Sequence, residues 1–444
     1  MSAAAFNAEM NETAFHAHIA KSLQICRDGF PDLYFGTLLR RDCISIANPG
    51  LSFRFIRLRS TASGVLHLKY IEVFATIEGK KRNIAPAASI SVSSQWPGSE
   101  SMVRARVFLK PHDAIYGFHT KDEPEPWAIV ELDMRALVDC IVIHNRTDQF
   151  GPRAWSLAVD VSDDGLVWQE IYGHRKREAQ FEACLRGAAL LASAEDITFR
   201  QRCLLDELLV HLLRLEYREA VKRLLAERPD PDVKRQVLAG MNALVVRAQG
   251  AEWINHGIKR TFRFWSDEQK KKYLRDAVDV LSVLAASDAN LEACLGYGAV
   301  LALLRDQGLM EHDDDLDIIV CARRTDFGNM AAFIDKVCTD LSAAGYLITG
   351  DFVSHRHASK DGMEPLDIFF GFQEGEFVSW LPGPRRAILR DEVFPPIECP
   401  LLGIDVSIPR NPFRYTAKVY GEDWAQPQPS WNHAWDTVAF QDWF

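Results

Sequence analysis

Between residues 31 and 175 the apolar positions fall in short runs broken by Gly, Pro, Asn and Asp. The runs "FRFIRLRS", "VLHLKYIEVFATI", "CIVIHN" and "WSLAVDVSDDGLVWQEIY" are of this kind, and in the last Leu157, Val159 and Val161 alternate before "SDDG" turns the chain. That spacing predicts a β-sandwich over residues 31–178, behind an N-terminal helical segment of residues 1–30. From residue 179 to 284 the period changes. "RQRCLLDELLVHLLRLEYREAVKRLLAERPDPD" carries apolar residues at helical spacing up to the Pro229-Asp230-Pro231 break, and "DVKRQVLAGMNALVVRAQ" reads as a second helix, so a helical connector is expected. Residues 285–444 mix the two periods: "NLEACLGYGAVLALLRDQG" suits a helix after its glycines, whereas "DDDLDIIV" and "EPLDIFFGF" read as buried strands. The chain is thus read as multidomain: β-sandwich, helical linker and C-terminal α+β domain.

At 444 residues the chain exceeds what one hydrophobic core usually serves. Its net charge of -10 supplies no general footprint for nucleic acid, so any anionic ligand must be held locally. Nine cysteines without a CxxC pair suggest reduced thiols, and a cytoplasmic location is expected. No apolar run approaches the roughly 20 residues of a membrane span, and the N-terminus lacks a signal-peptide pattern.

One stretch conflicts with itself unless something binds there. Asp313, Asp314, Asp315 and Asp317 lie within five residues and run into Ile318-Ile319-Val320. Like charges entering a buried strand cost folding energy unless a cation offsets them. Strand alternation would put Asp313, Asp315 and Asp317 on one face, in the manner of oxygen ligands for a hard divalent ion; a plain acidic turn is the alternative. Asp367, embedded in "EPLDIFFGF", is a second costly acid, expected beside Asp315 and Asp317 within about 8 Å if they share metal ions. Gly296 and Gly298 permit close backbone approach to a phosphate. Lys259, Arg260, Phe262, Arg263, Phe264 and Trp265 interleave charge and rings, read chiefly as a solvated face beside core aromatics, with Ser266 as the next helix cap. His355 and His357 have chelating spacing without a visible third ligand, so they are assigned to a loop over an acceptor pocket, with Lys360 as a phosphate candidate. Trp431, His433, Trp435 and Trp443 are read as a docked tail.

Two resemblances extend this reading. Pro126-Trp127, Leu132-Asp133, His144-Asn145-Arg146, Arg153, Ser162-Asp163-Asp164-Gly165 and Trp168 occur in the order found in the discoidin (F5/8 type C) family. That resemblance implies a galactose-binding-like jelly roll whose end loops bind a glycan; alternatively Trp127, Trp155 and Trp168 are core aromatics and Arg146 a structural ion-pair partner. "GAVLALLRDQGLMEHDDDLDI", "PLDIFF" and "FPPIECPLLGIDVSIPRNPFRYTAKVYGEDWAQPQ" together resemble the LicD/fukutin family of the nucleotidyltransferase superfamily, over roughly residues 285–430.

The second resemblance implies a nucleotidyltransferase fold and a Mg²⁺-dependent phosphotransferase, with Mn²⁺ as the substitute ion. It would move phosphocholine, ribitol phosphate or glycerol phosphate from a CDP-linked donor to a sugar hydroxyl of a surface or capsular polysaccharide. Asp313, Asp315, Asp317 and Asp367 match its metal-binding acids, with Asp315, Asp317 and Asp367 taken as catalytic. Arg305 matches the arginine before the glycine turn, and Tyr420, Gly421 and Trp424 match a structural closing motif. Gly298, Arg305, Arg323 or Arg324, and Lys360 are the expected donor-phosphate contacts. Ala299 stands where the family usually has Ser or Thr, and Glu311-His312 replaces Pro-Trp, which leaves the donor open. The partners expected are the donor, a glycan acceptor and, peripherally, surface-polysaccharide machinery. The rival readings are nucleotidyl transfer to a glycan or small molecule and a non-catalytic glycan-binding scaffold.

Overall fold

The period-two runs become strands. Ser52–Ser60, Tyr70–Ile77, Leu157–Ser162 and Gln169–Gly173 join a sheet around the long strand Trp127–His144. Residues 127–131 of that strand pair with Ser52–Ser60 and Ser89–Val92, and residues 138–144 pair with Cys43–Ala47 and Tyr70–Ile77. The structure is a computed structural model that describes residues 11–35, 43–48, 50–146, 148, 150–192, 197–427, 433 and 435–444. It comprises two compact units, Met1–Gln249 and Gly250–Phe444.

The first unit is rich in sheet. Leu157–Ser162 is buried at every position, so the alternation of Leu157, Val159 and Val161 marks one covered face of two. Asp160 accounts for the other: it is 2% exposed and accepts from Arg57 Nε and Arg59 Nε at 2.9 and 2.8 Å. The "SDDG" turn closes through Asp164 Oδ1, which accepts from the Leu166 and Val167 amides. Arg146 is buried and ion-paired to Asp148, the structural role foreseen for it. Trp155 and Trp168 are half-buried under Arg175 and Arg57.

Helices complete this unit. The stretch read as one helix up to Pro229 is two, Phe199–Leu213 and Tyr217–Ala226. Leu215 takes a left-handed φ of 63°, and the Glu216 amide closes back on the His211 carbonyl at 2.9 Å. Arg214 at the break is held by Glu178 and Glu182. Helical period alone does not show such a stop.

The second unit begins at Gly250, ahead of the boundary at 284–285 expected from composition. The helix Asp267–Ser287, capped by Ser266 as expected, contributes Tyr273, Leu274, Ala277 and Leu284 to the core that holds Ile318, Ile319, Ile368 and Phe370. Its sheet is α/β in character. Asp317–Arg323 and Leu366–Glu374 pair in parallel at the centre, with Glu292–Leu295 antiparallel on one side. On the other edge of Leu366–Glu374, His355–Ser359 pairs near its start and Phe377–Trp380 near its end. The C-terminal tail docks as expected: Trp443 is 1% exposed against Phe372 and Phe440, and Asp442 pairs with Arg324 and Arg385. Trp431 lies outside the described residues. No described helix is long and apolar enough to cross a membrane.

Candidate active site

Parallel pairing sets the site. Asp317 and Asp367 are register partners on adjacent central strands, so both carboxylates stand on one face at the same end of the sheet. Asp313–Leu316 is not yet strand but leads into it, and Asp313 and Asp315 act electrostatically on Asp317. Crowding and burial shift their protonation. Burial first, then Asp315 and Asp314, pushes Asp313 well above the usual carboxylate range. Burial first, then Asp315 and Asp367, does the same to Asp317, against a hydrogen bond from the Gly298 amide. Asp315 is raised to about 6 by burial, Asp314 and Asp367, with His256 opposing. Asp367 goes the other way: burial would raise it, but His355 and His357 outweigh that and hold it below the usual range.

The backbone around these acids is fixed by buried phenols. Tyr273 Oη accepts from the Leu316 amide at 3.2 Å and donates to the Pro365 carbonyl, tying together the entries to both acid strands. Tyr415 Oη accepts from the Tyr297 amide at 2.8 Å, and Tyr297 Oη accepts from Trp380 Nε1 at 2.8 Å. These contacts hold Tyr297 at a φ of 43°, a strained value for a residue with a Cβ, where the helix Tyr297–Arg305 begins. Gly298 follows for a steric reason: a Cβ there would lie 2.4 Å from Asp313 Oδ2. A Cβ on Gly296 would meet Ile319 Cδ1 at 2.5 Å. Both glycines therefore admit the acid strand itself, a need that sequence reasoning had assigned to a phosphate.

Three groups near the acids were missed or misplaced by that reasoning. His355 and His357 belong to a strand, His355–Ser359, not to a loop, and Asp367 supplies the third ligand they lacked. His357 Nδ1 lies 2.7 Å from Asp367 Oδ1 and His355 Nε2 lies 3.1 Å from Oδ2. His256, at the turn of the hairpin Glu252–Ile254 and Gly257–Lys259, lies 3.4 Å from Asp314 and 3.9 Å from Asp315. The hydrogen bond to Asp314, ahead of the opposing effect of burial, raises its pKa. Lys259 Nζ is 3.5 Å from Asp314, so this one lysine of the basic-aromatic stretch does reach the site. Arg263 instead pairs with Glu252 and Glu311, and Phe262 is core. Nothing in the local pattern around His256 distinguishes it from an ordinary turn histidine.

The expected phosphate contacts separate. Arg323 closes the strand that Asp317 opens, and six steps of extended chain put them about 20 Å apart. Arg324 is committed to Asp442. Lys360 packs its ammonium 3.8 Å from the centre of the Tyr346 ring. Arg305, at the end of its helix, pairs with Asp306 at 3.0 Å. Gly298 stands directly among the acids, with its amide on Asp317 and its Cα against Asp313. Tyr420, Gly421 and Trp424 are structural, Gly421 ending the helix Pro412–Tyr420 at a φ of 101° and Trp424 lying against Phe413.

A crowded, desolvated set of carboxylates at the end of two parallel strands, one of them with 26% of its side-chain surface open, suits a divalent cation reached from solvent. Residues 290–411 match the family model described as LicD/FKTN/FKRP, nucleotidyltransferase domain. The matched interval contains all four acids, Gly298, His355 and His357; it does not extend to the discoidin-like stretch or to the His256 hairpin. The match of this region to the LicD family model points to a transferase of phosphotransferase or glycan-modifying type. No curated protein matches the chain. Among solved structures, that of ANT(2″)-Ia in complex with adenylyl-2″-tobramycin is similar at 14% identity and a TM-score of 0.25, over 39% of this chain and 86% of that one. So slight a likeness carries no fold assignment.

Proposed function

We propose that the second unit is a metal-dependent phosphotransferase of nucleotidyltransferase fold, which moves a phosphorylated alcohol from a CDP-linked donor to a sugar hydroxyl in polysaccharide biosynthesis. The observation that carries this reading is the convergence of Asp313, Asp315, Asp317 and Asp367, three of them pushed towards protonation by burial and one another. A fold keeps such an arrangement when a cation offsets its cost.

Asp313, Asp315 and Asp317, with Asp367, would hold Mg²⁺. Once bound, the ion supplies neutralisation of the donor diphosphate as the bond to CMP breaks. The chain's own groups prepare that step. The Gly298 amide and Tyr273 fix where the carboxylates stand. His256 and Lys259, now turned to Asp314, are nitrogen donors beside the acids that could contact donor phosphate oxygens. Asp367 would complete the metal site or accept the proton of the attacking sugar hydroxyl, and its pKa, held below the usual range by His355 and His357, favours the first of these roles. The jelly-roll reading of the first unit makes it the holder of the acceptor glycan or of a partner protein.

The test is calorimetric titration with CDP-choline, CDP-ribitol, CDP-glycerol, CDP and CTP, in Mg²⁺ and in EDTA. Metal-dependent binding of one CDP-alcohol, lost in Asp315→Asn, is the expected result. Binding of no nucleotide would refute the reading. Product analysis with the bound donor then shows which group moved, and CMP on the acceptor would turn the assignment to nucleotidyl transfer.

A further inference from the structure

Strand geometry brings two imidazoles into the carboxylate site. His355 and His357 are two residues apart on one strand and so share a face. His357 is the register partner of Asp367 across the antiparallel pair, while Asp317 is its register partner across the parallel pair. One row therefore runs Asp317, Asp367, His357 over three neighbouring strands, with His355 one step along. His355 is fixed there by its ring contact with Phe369, centroids 4.6 Å apart, and Phe369 is itself flanked by Tyr297 and Trp435.

His355 Nε2 is the group that this arrangement leaves unexplained. The atom is buried, and although Asp367 Oδ2 lies 3.1 Å away it is not aligned for a hydrogen bond. If Nε2 carries a proton, the donor points wide of its acceptor. If it does not, its lone pair faces carboxylate oxygen. The neutral ring leaves a buried nitrogen without an aligned partner, and the protonated ring gains an ion pair with Asp367 only at poor alignment. A cation among the three donors removes the conflict, because any proton on Nε2 is released to solvent on binding and the nitrogen lone pairs and the carboxylate then face positive charge.

The spacing agrees with that. Metal–ligand bonds of about 2.1 Å at right angles separate neighbouring donors by roughly 3 Å. The observed separations from Asp367 oxygens are 2.7 Å to His357 Nδ1 and 3.1 Å to His355 Nε2, and all three ligand atoms lie within 4.8 Å of one another. The donor type also discriminates. Mg²⁺ takes oxygen ligands and keeps its waters, whereas imidazole favours borderline transition ions.

We propose that His355, His357 and Asp367 form a separate position for a divalent transition ion, with Asp367 shared between it and the oxygen-lined position of Asp313, Asp315 and Asp317. This rests on the reading above only in assigning Asp367 to a metal centre. The chain would then be selective by position: Mg²⁺ among the carboxylates, and an ion of the Mn²⁺, Co²⁺ or Zn²⁺ class at the imidazoles. The second ion would bind without nucleotide, because its ligands are already assembled.

The experiment uses the full chain, stripped with chelator and titrated without nucleotide. Co²⁺ is followed by visible absorption, Mn²⁺ by electron spin echo modulation from directly bound ¹⁴N, and Mg²⁺ by calorimetry. Wild type is expected to bind one Co²⁺ more tightly than Mg²⁺ and to show ¹⁴N coupling to Mn²⁺. The His355→Gln/His357→Gln pair is expected to lose about 100-fold or more in Co²⁺ affinity and the nitrogen signal, while Mg²⁺ affinity changes less than about threefold. Absence of ¹⁴N coupling in wild type would overturn the proposal without recourse to any variant. So would equal Co²⁺ affinity in wild type and the double variant. Failure of every CDP-alcohol to bind would sink the phosphotransferase reading and leave the cobalt result untouched, so the two can fail separately.

Discussion

Replacing Asp315 by Asn should stabilise the metal-free protein, and the size of the effect follows from the site. In the folded chain the Asp315 carboxyl titrates at about 6, against an ordinary value of 3.8. Burial is the first cause, and repulsion from Asp314 and Asp367 adds to it. Each pH unit of such a difference is worth about 1.4 kcal/mol, so full ionisation costs the fold about 2–3 kcal/mol. The sign is as follows. Well below pH 3.8 the carboxyl is protonated in folded and unfolded chains alike and costs nothing. As pH rises from 4 to 6 the unfolded chain has released a proton that the folded chain still holds, so stability falls; above about 6.5 the whole cost is present. Asparagine carries no charge at any pH. Asp315→Asn should therefore lie within about 2 °C of wild type near pH 4 and exceed it at pH 8 by about 5–10 °C in the melting of a unit of this size. The assay is scanning calorimetry in EDTA at pH 4, 5, 6, 7 and 8. A variant less stable than wild type at pH 8, or a gain that does not grow between pH 4 and 6, would refute the account of Asp315 as a repelled, desolvated acid. Saturating Mg²⁺ should then raise the wild-type transition and leave the variant's almost unmoved.

Three further outcomes follow from particular contacts. Gly298→Ala places a Cβ 2.4 Å from Asp313 Oδ2 and should weaken Mg²⁺ binding by about tenfold or more, read by calorimetry. Arg323→Ala, at the far end of its strand, should change CDP-alcohol affinity less than about twofold; a larger loss would mean that the donor reaches across the whole sheet. Trp443→Ala empties a fully buried site against Phe372 and Phe440 and should cost about 3–5 kcal/mol in urea denaturation, while nucleotide binding by the remaining folded protein is preserved.

The sequence by itself determined the elements and the acids. Period-two runs marked the sheet-rich first unit, and the Ser266 cap marked a helix. Four aspartates written against apolar strands announced a site, because a buried carboxylate is too costly to place without reason. Continuous residues from the glycine turn onward carried the LicD resemblance, and the family model matches them over residues 290–411. What the sequence left open was everything that depends on which strands become neighbours. Asp367 stands beside Asp317 because their strands pair in parallel across fifty residues of chain, and His357 joins them because a third strand pairs on the other edge. His256 arrives from a hairpin outside the matched region, and Arg323 departs because an extended strand carries its two ends apart. The glycines show the same division. Their presence was legible, but only the packed chain showed that they make room for Asp313 and Ile319. Local pattern records the cost of each residue in its own element, and register between elements, which decides the chemistry, is set by pairing over long range.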